Sequence, residues 1–240
     1  PEDAYHKSWL VRLLIAVADD PLLNQHLVFK GGTCASMLGR LDRFSVDLDF
    51  DLPHLTLKDR VREQLLKNME DLGLHIKTQS SRGIQIYARY PVSQNRQRHT
   101  IKVEAQFPVP KANQSEATYI ADIDRTLRCQ TVETMVANKM VALTERWALH
   151  RSLAGRDVYD IHHFLNRGFR YDAAVIEERT QLGVGAYLKK LKTFISKHVT
   201  DTILHQDLNM LLDPDQFRRI RKTLKMETLL LVEQEIQRVS

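Results

Sequence analysis

Three aspartates at alternate positions are the residues of this chain that most clearly suggest chemistry. They are Asp47, Asp49 and Asp51, within the segment Ser-Val-Asp-Leu-Asp-Phe-Asp at 45–51. Alternate residues of a β-strand point to one face, so the three carboxylates would lie together while the apolar residues between them face a core. Carboxylates this close repel one another unless a cation lies between them. Oxygen ligands suit Mg²⁺ or Mn²⁺, and two such ions could activate a hydroxyl and stabilise a leaving pyrophosphate.

A glycine-containing turn precedes this segment. The tetrapeptide Lys-Gly-Gly-Thr at 30–33 lies between a predicted strand over 26–30 and a predicted helix over 34–41. Glycine lets the backbone approach a phosphate closely, and the N–H groups at a helix start bind anions. The candidate phosphate-binding residues are Lys30, Gly31, Gly32, Thr33 and Ser45, with Arg43 as a further source of charge.

A third metal-binding carboxylate is expected from a later strand, predicted over 100–107. Glu104 lies there in the sequence Lys-Val-Glu and is the candidate, with Asp51 as the alternative. An aspartate pair on one strand is more often a solvated face, and a glycine pair is usually a turn. The order of strand, Gly-Gly-Thr, helix and Ser-x-Asp-x-Asp is therefore the stronger indication.

Charged residues also fall on the apolar faces of two later helices. At about 100° per residue, Lys139 and Arg146 lie within the apolar stripe of one helix, and Asp157 and Asp160 within that of the next. Burying an unpaired charge is costly, so we expect a Lys139–Asp157 or Arg146–Asp160 bridge. A structural bridge is compatible with a role of Lys139 towards nucleotide phosphates, and both interpretations stay open.

These motifs resemble the AbiEii/AbiGii nucleotidyltransferase toxins of the DNA polymerase β-like superfamily. The matching segments are KGGT with RFSVDLDFDL, the stretch 134–146 around Lys139, and RDVYDI at 156–161, so the resemblance covers about residues 25–165. It implies an α+β fold: a polymerase β-like nucleotidyltransferase core, built as a small mixed sheet with helices, followed by an all-helical C-terminal domain. We place the core at 1–125 and the helical domain, which would complete the nucleotide and acceptor cleft, at 126–240.

The resemblance also implies roles for individual residues. Asp47 and Asp49 would hold the metal, with Glu104 as the third ligand, and Lys139 and Asp157 would be essential. Gly32, Thr33 and Ser45 would hold the triphosphate. The implied reaction moves a nucleoside monophosphate from an NTP to an acceptor hydroxyl and releases pyrophosphate. The implied biology is a toxin with a separately encoded antitoxin.

Three alternatives to this function stay open. The first is a non-catalytic RNA- or protein-binding member of the same fold. The second is nucleotidyl transfer to a protein, as in AMPylation. The third is a metal-dependent phosphohydrolase, which would release phosphate rather than pyrophosphate.

Periodicity predicts a mixed first half and a helical second half. Strands are expected at 26–30, 46–51, 84–90 and 100–107. Helices are expected at 4–19, 34–41, about 57–72, 131–149, 156–166, 172–181, 184–198, 200–212 and 214–238. His162 and His163, adjacent on a helix, point about 100° apart and are assigned to packing or surface.

Local charge indicates where an acceptor could bind. The net charge of +5 is spread evenly along the 240 residues, which argues against a polybasic tail. Two segments nevertheless have a basic excess, with tyrosines Tyr87, Tyr90 and Tyr187 among them, and this combination suits RNA, for example tRNA. They contain Arg82, Arg89, Arg96, Arg98, Lys102 and Lys111 (82–111), and Arg179, Lys189, Lys190, Lys192 and Lys197 (179–200).

The cysteines and the hydropathy favour the cytoplasm. Cys34 and Cys129 have no disulfide or zinc-site spacing, and two free thiols fit a reducing compartment. The longest apolar stretch is too short to span a bilayer, and no signal peptide is visible. We expect a cytoplasmic protein with no membrane partner.

Overall fold

The computed structural model of the chain describes residues 2–91 and 99–239. The strands are β1 (Val28–Lys30), β2 (Asp47–Asp51), β3 (His75–Gln79), β4 (Ile84–Arg89), β5 (Thr100–Gln106), β6 (Ser115–Ile120) and β7 (Arg125–Gln130). The helices are α1 (Glu2–Asp19), α2 (Pro21–His26), α3 (Gly31–Met37), α4 (Lys58–Asp71), α5 (Val132–His150), α6 (Gly155–Asn166), α7 (Ala173–Thr180), α8 (Val184–His198), α9 (Asp201–Leu208), α10 (Pro214–Ile220) and α11 (Leu224–Val239), with a 3₁₀ turn at Leu55–Leu57.

The described residues divide into two compact units. The first comprises Pro1–Val109 and Gln114–Gln130, and the second comprises Pro110–Asn113 and Thr131–Ser240. The boundary predicted near residue 125 would cut β7 off from the first unit. The structure keeps β7 there because this strand pairs in parallel with β1 and antiparallel with β6.

The first unit is built on one mixed sheet with the strand order β3-β4-β5-β2-β1-β7-β6. The aspartate-bearing strand β2 is central, antiparallel to β1 and parallel to β5. Its apolar residues Leu48 and Phe50 are fully buried, as is Val103 on β5. Helices α1 and α4 contact the sheet and supply further apolar side chains to this core. The alternation of β2 therefore leaves a second face for polar residues, as the sequence predicts.

The second unit consists of helices, apart from the short segment Pro110–Asn113. Thr131 caps α5 by accepting a hydrogen bond from the Thr134 N–H. Helix α6 approaches α9 closely at Gly155, whose N–H donates to the Asp207 carboxylate at 2.6 Å. The segment at 110–113 is tied to α7 because Glu178 accepts from the amides of Lys111 and Ala112. The predicted α+β class with a helical C-terminal region is confirmed.

The short helix α2 was not predicted, and the helix predicted over 34–41 begins and ends earlier, as α3. Two further differences concern strands and the C-terminal helices. Strands β3, β6 and β7 were not predicted, because their polar residues give no regular apolar alternation. The single helix predicted over 214–238 is two helices, α10 and α11. The break at 221–223 contains neither glycine nor proline, so the sequence gives no stop signal there.

None of the helices in the described part of the chain combines the length and apolarity that a bilayer span requires.

Candidate active site

Asp49 lies directly against the glycine turn. Gly31 begins α3 with a φ of +80°, which glycine tolerates far better than other residues. A Cβ placed on Gly31 would lie only 2.5 Å from Oδ2 of Asp49. Both the backbone conformation and the close approach therefore require glycine at this position. This contact brings the glycine turn directly against the carboxylate strand.

Polar groups also converge on Gly32. Nη2 of Arg43 and Oγ of Ser45 each lie 2.9 Å from where a Cβ of Gly32 would be. The Thr33 hydroxyl donates to the main-chain carbonyl of Asp47 and so ties α3 to the start of β2. The 42–45 segment, α1 and α3 enclose a cavity of about 290 Å³, lined by Lys7, Leu10, Thr33, Ser36, Met37, Asp42, Arg43, Phe44 and Ser45.

Asp51 has a structural role at the end of β2. It is 1% exposed, and its two oxygens accept hydrogen bonds from Lys30 Nζ at 2.5 Å and Gln130 Nε2 at 2.6 Å. Lys30 also donates to Gln106 at 2.5 Å. Asp51 is therefore committed to linking β2 with β1 and β7, which argues against it as the third metal ligand. Lys30, expected near phosphate, is engaged with Asp51 and Gln106.

Glu104 neighbours Asp49 but is bound to a lysine. In the parallel pairing of β2 with β5, Asp47 lies opposite Lys102 and Asp49 opposite Glu104. Lys102 forms an ion pair with Glu104. Burial alone would lower the pKa of Lys102, but the Glu104 bond and the charges of Asp49 and Asp47 raise it above its ordinary value.

Three carboxylates are not gathered around one point. Within residues 2–91 and 99–239, no group of three or more His, Cys, Asp or Glu side chains is arranged to hold a metal ion. The predicted set Asp47, Asp49 and Glu104 is therefore not assembled, because Glu104 is held by Lys102. Asp47 and Asp49 still fit a metal such as Mg²⁺, which proteins commonly bind through one or two carboxylates plus substrate phosphates.

The charged residues of α5 and α6 form one cluster in the second unit. Nζ of Lys139 lies 2.9 Å from Asp157 and 2.9 Å from Asp160, which are both fully buried. Nη2 of Arg146 lies 3.4 Å from Asp157. The expected Lys139–Asp157 bridge is confirmed, and Lys139 additionally holds Asp160. Two cations thus balance two buried carboxylates, with Lys139 partly exposed.

Helix α1 contains residues that sequence reasoning missed, and they contact the segment that leads into β2. His6 is fully buried and bridges the Tyr90 hydroxyl and the main-chain carbonyl of Val46, each at 2.9 Å. Lys7, the next residue, lines the cavity beside Thr33. These contacts span at least 26 residues of sequence, so no local pattern could reveal them.

The basic segments are partly used in packing. Tyr90 and Tyr187 are buried, and Tyr187 donates to the Met140 carbonyl at 2.6 Å, so neither is available for base stacking as was expected. Arg179 is bound to Glu145 and Asn138. Lys192 is paired with Glu233 at 2.8 Å. The expected Arg96 and Arg98 lie outside the described residues.

A third basic run was overlooked in the sequence. It lies at 218–225 and consists of Arg218, Arg219, Arg221, Lys222 and Lys225, with no acidic residue among them. Arg219 and Lys222 are exposed. Lys225 donates to the Ser196 carbonyl at 3.0 Å, which brings this run next to Lys197 at the end of α8. The overlooked signal was the absence of acids within the run.

His162 and Cys34 have packing roles, which for His162 was expected. His162 is buried and bonds to Glu227 at 2.9 Å. Cys34 is fully buried beside Cys129, and burial together with that neighbour raises the pKa of its thiol. Both cysteines are free thiols.

Comparison with known proteins places this chain in a family. Residues 12–235 match the model of the AbiEii nucleotidyl transferase toxin of a Type IV toxin–antitoxin system. The fold is similar to JHP933 from Helicobacter pylori, at a TM-score of 0.62 and 20% identity, over 99% of this chain and 93% of that one. A candidate nucleotidyltransferase from H. pylori is similar at a TM-score of 0.62 and 19% identity, over 100% and 98%. No curated protein sequence matches. Because the family model covers nearly the whole chain, this protein belongs to the AbiEii nucleotidyltransferase toxins.

Proposed function

We propose that this nucleotidyltransferase transfers a nucleoside monophosphate from an NTP to a hydroxyl of an RNA, with tRNA as the preferred acceptor. The observation that carries the proposal is the contact of Asp49 with Gly31, which puts a carboxylate strand beside the glycine turn that we propose binds phosphate. In the reaction, the acceptor oxygen bonds to the α-phosphorus as the bond to the β-phosphate oxygen breaks, and pyrophosphate leaves.

Asp47 and Asp49 are the residues proposed to hold Mg²⁺ or Mn²⁺. When bound, such an ion supplies charge that favours the acceptor alkoxide and the departing pyrophosphate. The Gly31–Thr33 turn and Ser45 bind the triphosphate, and Arg43 and Lys7 add positive charge along the adjoining cavity. Glu104, whose side chain is 38% exposed, is the candidate to accept the acceptor proton. These groups act mainly by positioning, so no covalent enzyme intermediate is needed.

Lys139 is proposed to act on the nucleotide phosphates, with Asp157 orienting it. Asp157 and Asp160 hold its ammonium group at 2.9 Å on either side, while about a fifth of the side chain stays exposed. Such a lysine is fixed in place and still accessible to an anion. The cluster therefore serves packing and function together.

RNA is preferred as the acceptor because of the basic residues of the second unit. Lys197 and the 218–225 run form one basic surface, joined by the bond from Lys225 to Ser196. A backbone of phosphates complements such a surface. A protein acceptor would not require a continuous run of basic residues.

The decisive experiment is incubation with each labelled NTP, Mg²⁺ and total cellular RNA, followed by gel separation. Label should appear on RNA, be lost in the Asp49→Asn variant, and be retained in Asp59→Asn, an exposed aspartate outside the site. Label on protein would instead establish AMPylation-like transfer. Released phosphate without transfer would indicate a hydrolase, and no product with any nucleotide would indicate a binding protein.

The family also implies a separately encoded antitoxin. We propose that expression of this chain alone in the cytoplasm arrests growth through the transfer reaction. Expression of Asp49→Asn at an equal level should not arrest growth. Arrest by that variant would separate toxicity from catalysis.

A further inference from the structure

A lysine lies among the carboxylates of the candidate metal site. Lys102 is directly beside Asp47 in the β2–β5 register, and residues opposite each other in neighbouring strands share a face. Two residues on, Glu104 lies beside Asp49 on the same face and forms an ion pair with Lys102. The Lys102 ammonium therefore lies within a patch that includes the carboxylates of Asp47, Asp49 and Glu104.

Electrostatics explains why a cation is needed there. Three carboxylates on adjacent strands repel one another, and the partial burial of this face weakens the screening by water. The lysine side chain is 23% exposed, so its charge acts at short range and is only partly screened. Its ammonium is bound to Glu104, which lies directly beside Asp49, so the charge stays within this face.

We propose that Lys102 is a built-in counter-cation of the Asp47–Asp49 face and competes there with a divalent metal. This inference rests on the proposed function, in which these two aspartates hold the metal. The same lysine stabilises the metal-free protein and weakens its affinity for metal, so the two properties are coupled through one side chain. Lys102 also keeps Glu104 from joining the two aspartates, which accounts for the incomplete carboxylate set.

The test uses Mn²⁺ alone, without nucleotide, and measures its binding by calorimetry in wild type and Lys102→Met. Removing the competing charge should tighten Mn²⁺ binding by about tenfold, since a neighbouring unit charge is worth on the order of that factor at a partly exposed site. In EDTA, the same variant should unfold at lower urea concentration, because the carboxylates lose their counter-charge. Added Mn²⁺ should raise the urea midpoint of Lys102→Met more than that of wild type.

Two control variants separate position from net charge. Lys67→Met removes an exposed lysine of α4, outside the carboxylate face. It should keep its stability and change Mn²⁺ affinity by less than about twofold. Lys102→Arg keeps the charge and should bind Mn²⁺ as wild type does.

Equal tightening in Lys102→Met and Lys67→Met would reduce the effect to net charge and overturn the inference. Unchanged or weaker Mn²⁺ binding in Lys102→Met would also overturn it, as would tight binding in Lys102→Arg. Complete absence of Mn²⁺ binding by Lys102→Met has the same consequence. None of these results decides whether the chain transfers nucleotides, because the labelled-NTP assay measures that separately.

Discussion

Gly31 and Gly39 both have a left-handed backbone conformation but differ in their surroundings. Comparing them separates the effect of backbone strain from that of the contact with Asp49. Gly31 has a φ of +80° and Gly39 one of +65°. A Cβ on Gly39 would meet nothing within 4 Å, whereas one on Gly31 would collide with Asp49. Both alanine variants should lose about 1 kcal/mol of stability from backbone strain. Only Gly31→Ala should also lose most of its transfer activity, because Asp49 must move.

Unfolding in urea and the labelled-NTP assay together check this prediction. If Gly31→Ala kept wild-type activity at reduced stability, the position of Asp49 against the turn would be irrelevant to the reaction. Loss of activity in Gly39→Ala as well would point to general loosening of α3.

Lys139 gives a second prediction, in which stability and activity separate by side-chain choice. Lys139→Met leaves Asp157 and Asp160 buried with Arg146 as a more distant cation, which should cost about 3 kcal/mol. Activity should fall below detection. Lys139→Arg keeps the charge and should recover most of the stability, measured by urea unfolding, while recovering little activity if the phosphate contact needs a compact ammonium.

Full activity in a destabilised Lys139→Met protein would assign this cluster to packing alone. Lys139 lies on α5 and its partners lie on α6. The Lys139→Arg variant therefore also tests whether a positive charge alone, or the specific shape of lysine, is needed to hold these helices together.

At the scale of elements, the crossing of α6 and α9 depends on a missing side chain. A Cβ on Gly155 would lie 2.9 Å from the Ile203 carbonyl oxygen and 3.0 Å from the Leu204 Cα. Backbone cannot yield as a flexible side chain can, so Gly155→Ala should lose about 1–3 kcal/mol in urea unfolding. In contrast, Gly185→Ala in α8 meets only a side chain at 3.8 Å and should gain up to about 1 kcal/mol from helix propensity.

An equal effect of the two substitutions would mean that helix propensity, rather than the close crossing, controls stability. The Asp207 carboxylate, which accepts the Gly155 N–H, links the same two helices at that point. Displacing α9 would therefore also uncap α6.

The elements themselves show what a sequence can reveal. The strict alternation of β2 predicts its two faces, and the charged residues on apolar helix faces predict the α5–α6 ion pairs. Both patterns can be recognised within a short stretch of sequence. In each, the polar or charged side chains would cost free energy if they were buried without partners. The partners of Asp51 and His6 come from segments far apart in the chain, so no periodicity reports them. The third carboxylate was predicted by position, but its ion pair with Lys102 depends on register between β2 and β5.

For the whole molecule, the near balance of 35 basic and 30 acidic residues conceals local separation of charge. Acids concentrate on β2, while Lys197 and the 218–225 run are basic. If that run binds RNA, the logarithm of transfer efficiency should fall linearly with the logarithm of salt concentration. Neutralising Arg219, Arg221 and Lys222 to Gln should reduce the slope by about 2 units, since each phosphate contact contributes about 0.7.

A matched variant controls for net charge. Replacing Arg60, Lys67 and Lys77 by Gln removes three exposed charges from the first unit and should leave the slope unchanged. If both triple variants lowered the slope equally, RNA would be attracted by overall charge only. A slope near zero in wild type would disfavour RNA as the acceptor.

The central place of β2 also orders events during synthesis. Its neighbours are β1, made before it, and β5, which ends at residue 106, about fifty residues later. Gln130, which binds Asp51, is synthesised later still, and Lys139 and Asp157 are synthesised after Gln130. A nascent chain therefore carries the aspartates for much of its translation without the strands and partners that fix them. We expect a site that depends on these contacts to stay incomplete on the ribosome until more than half of the chain has been made.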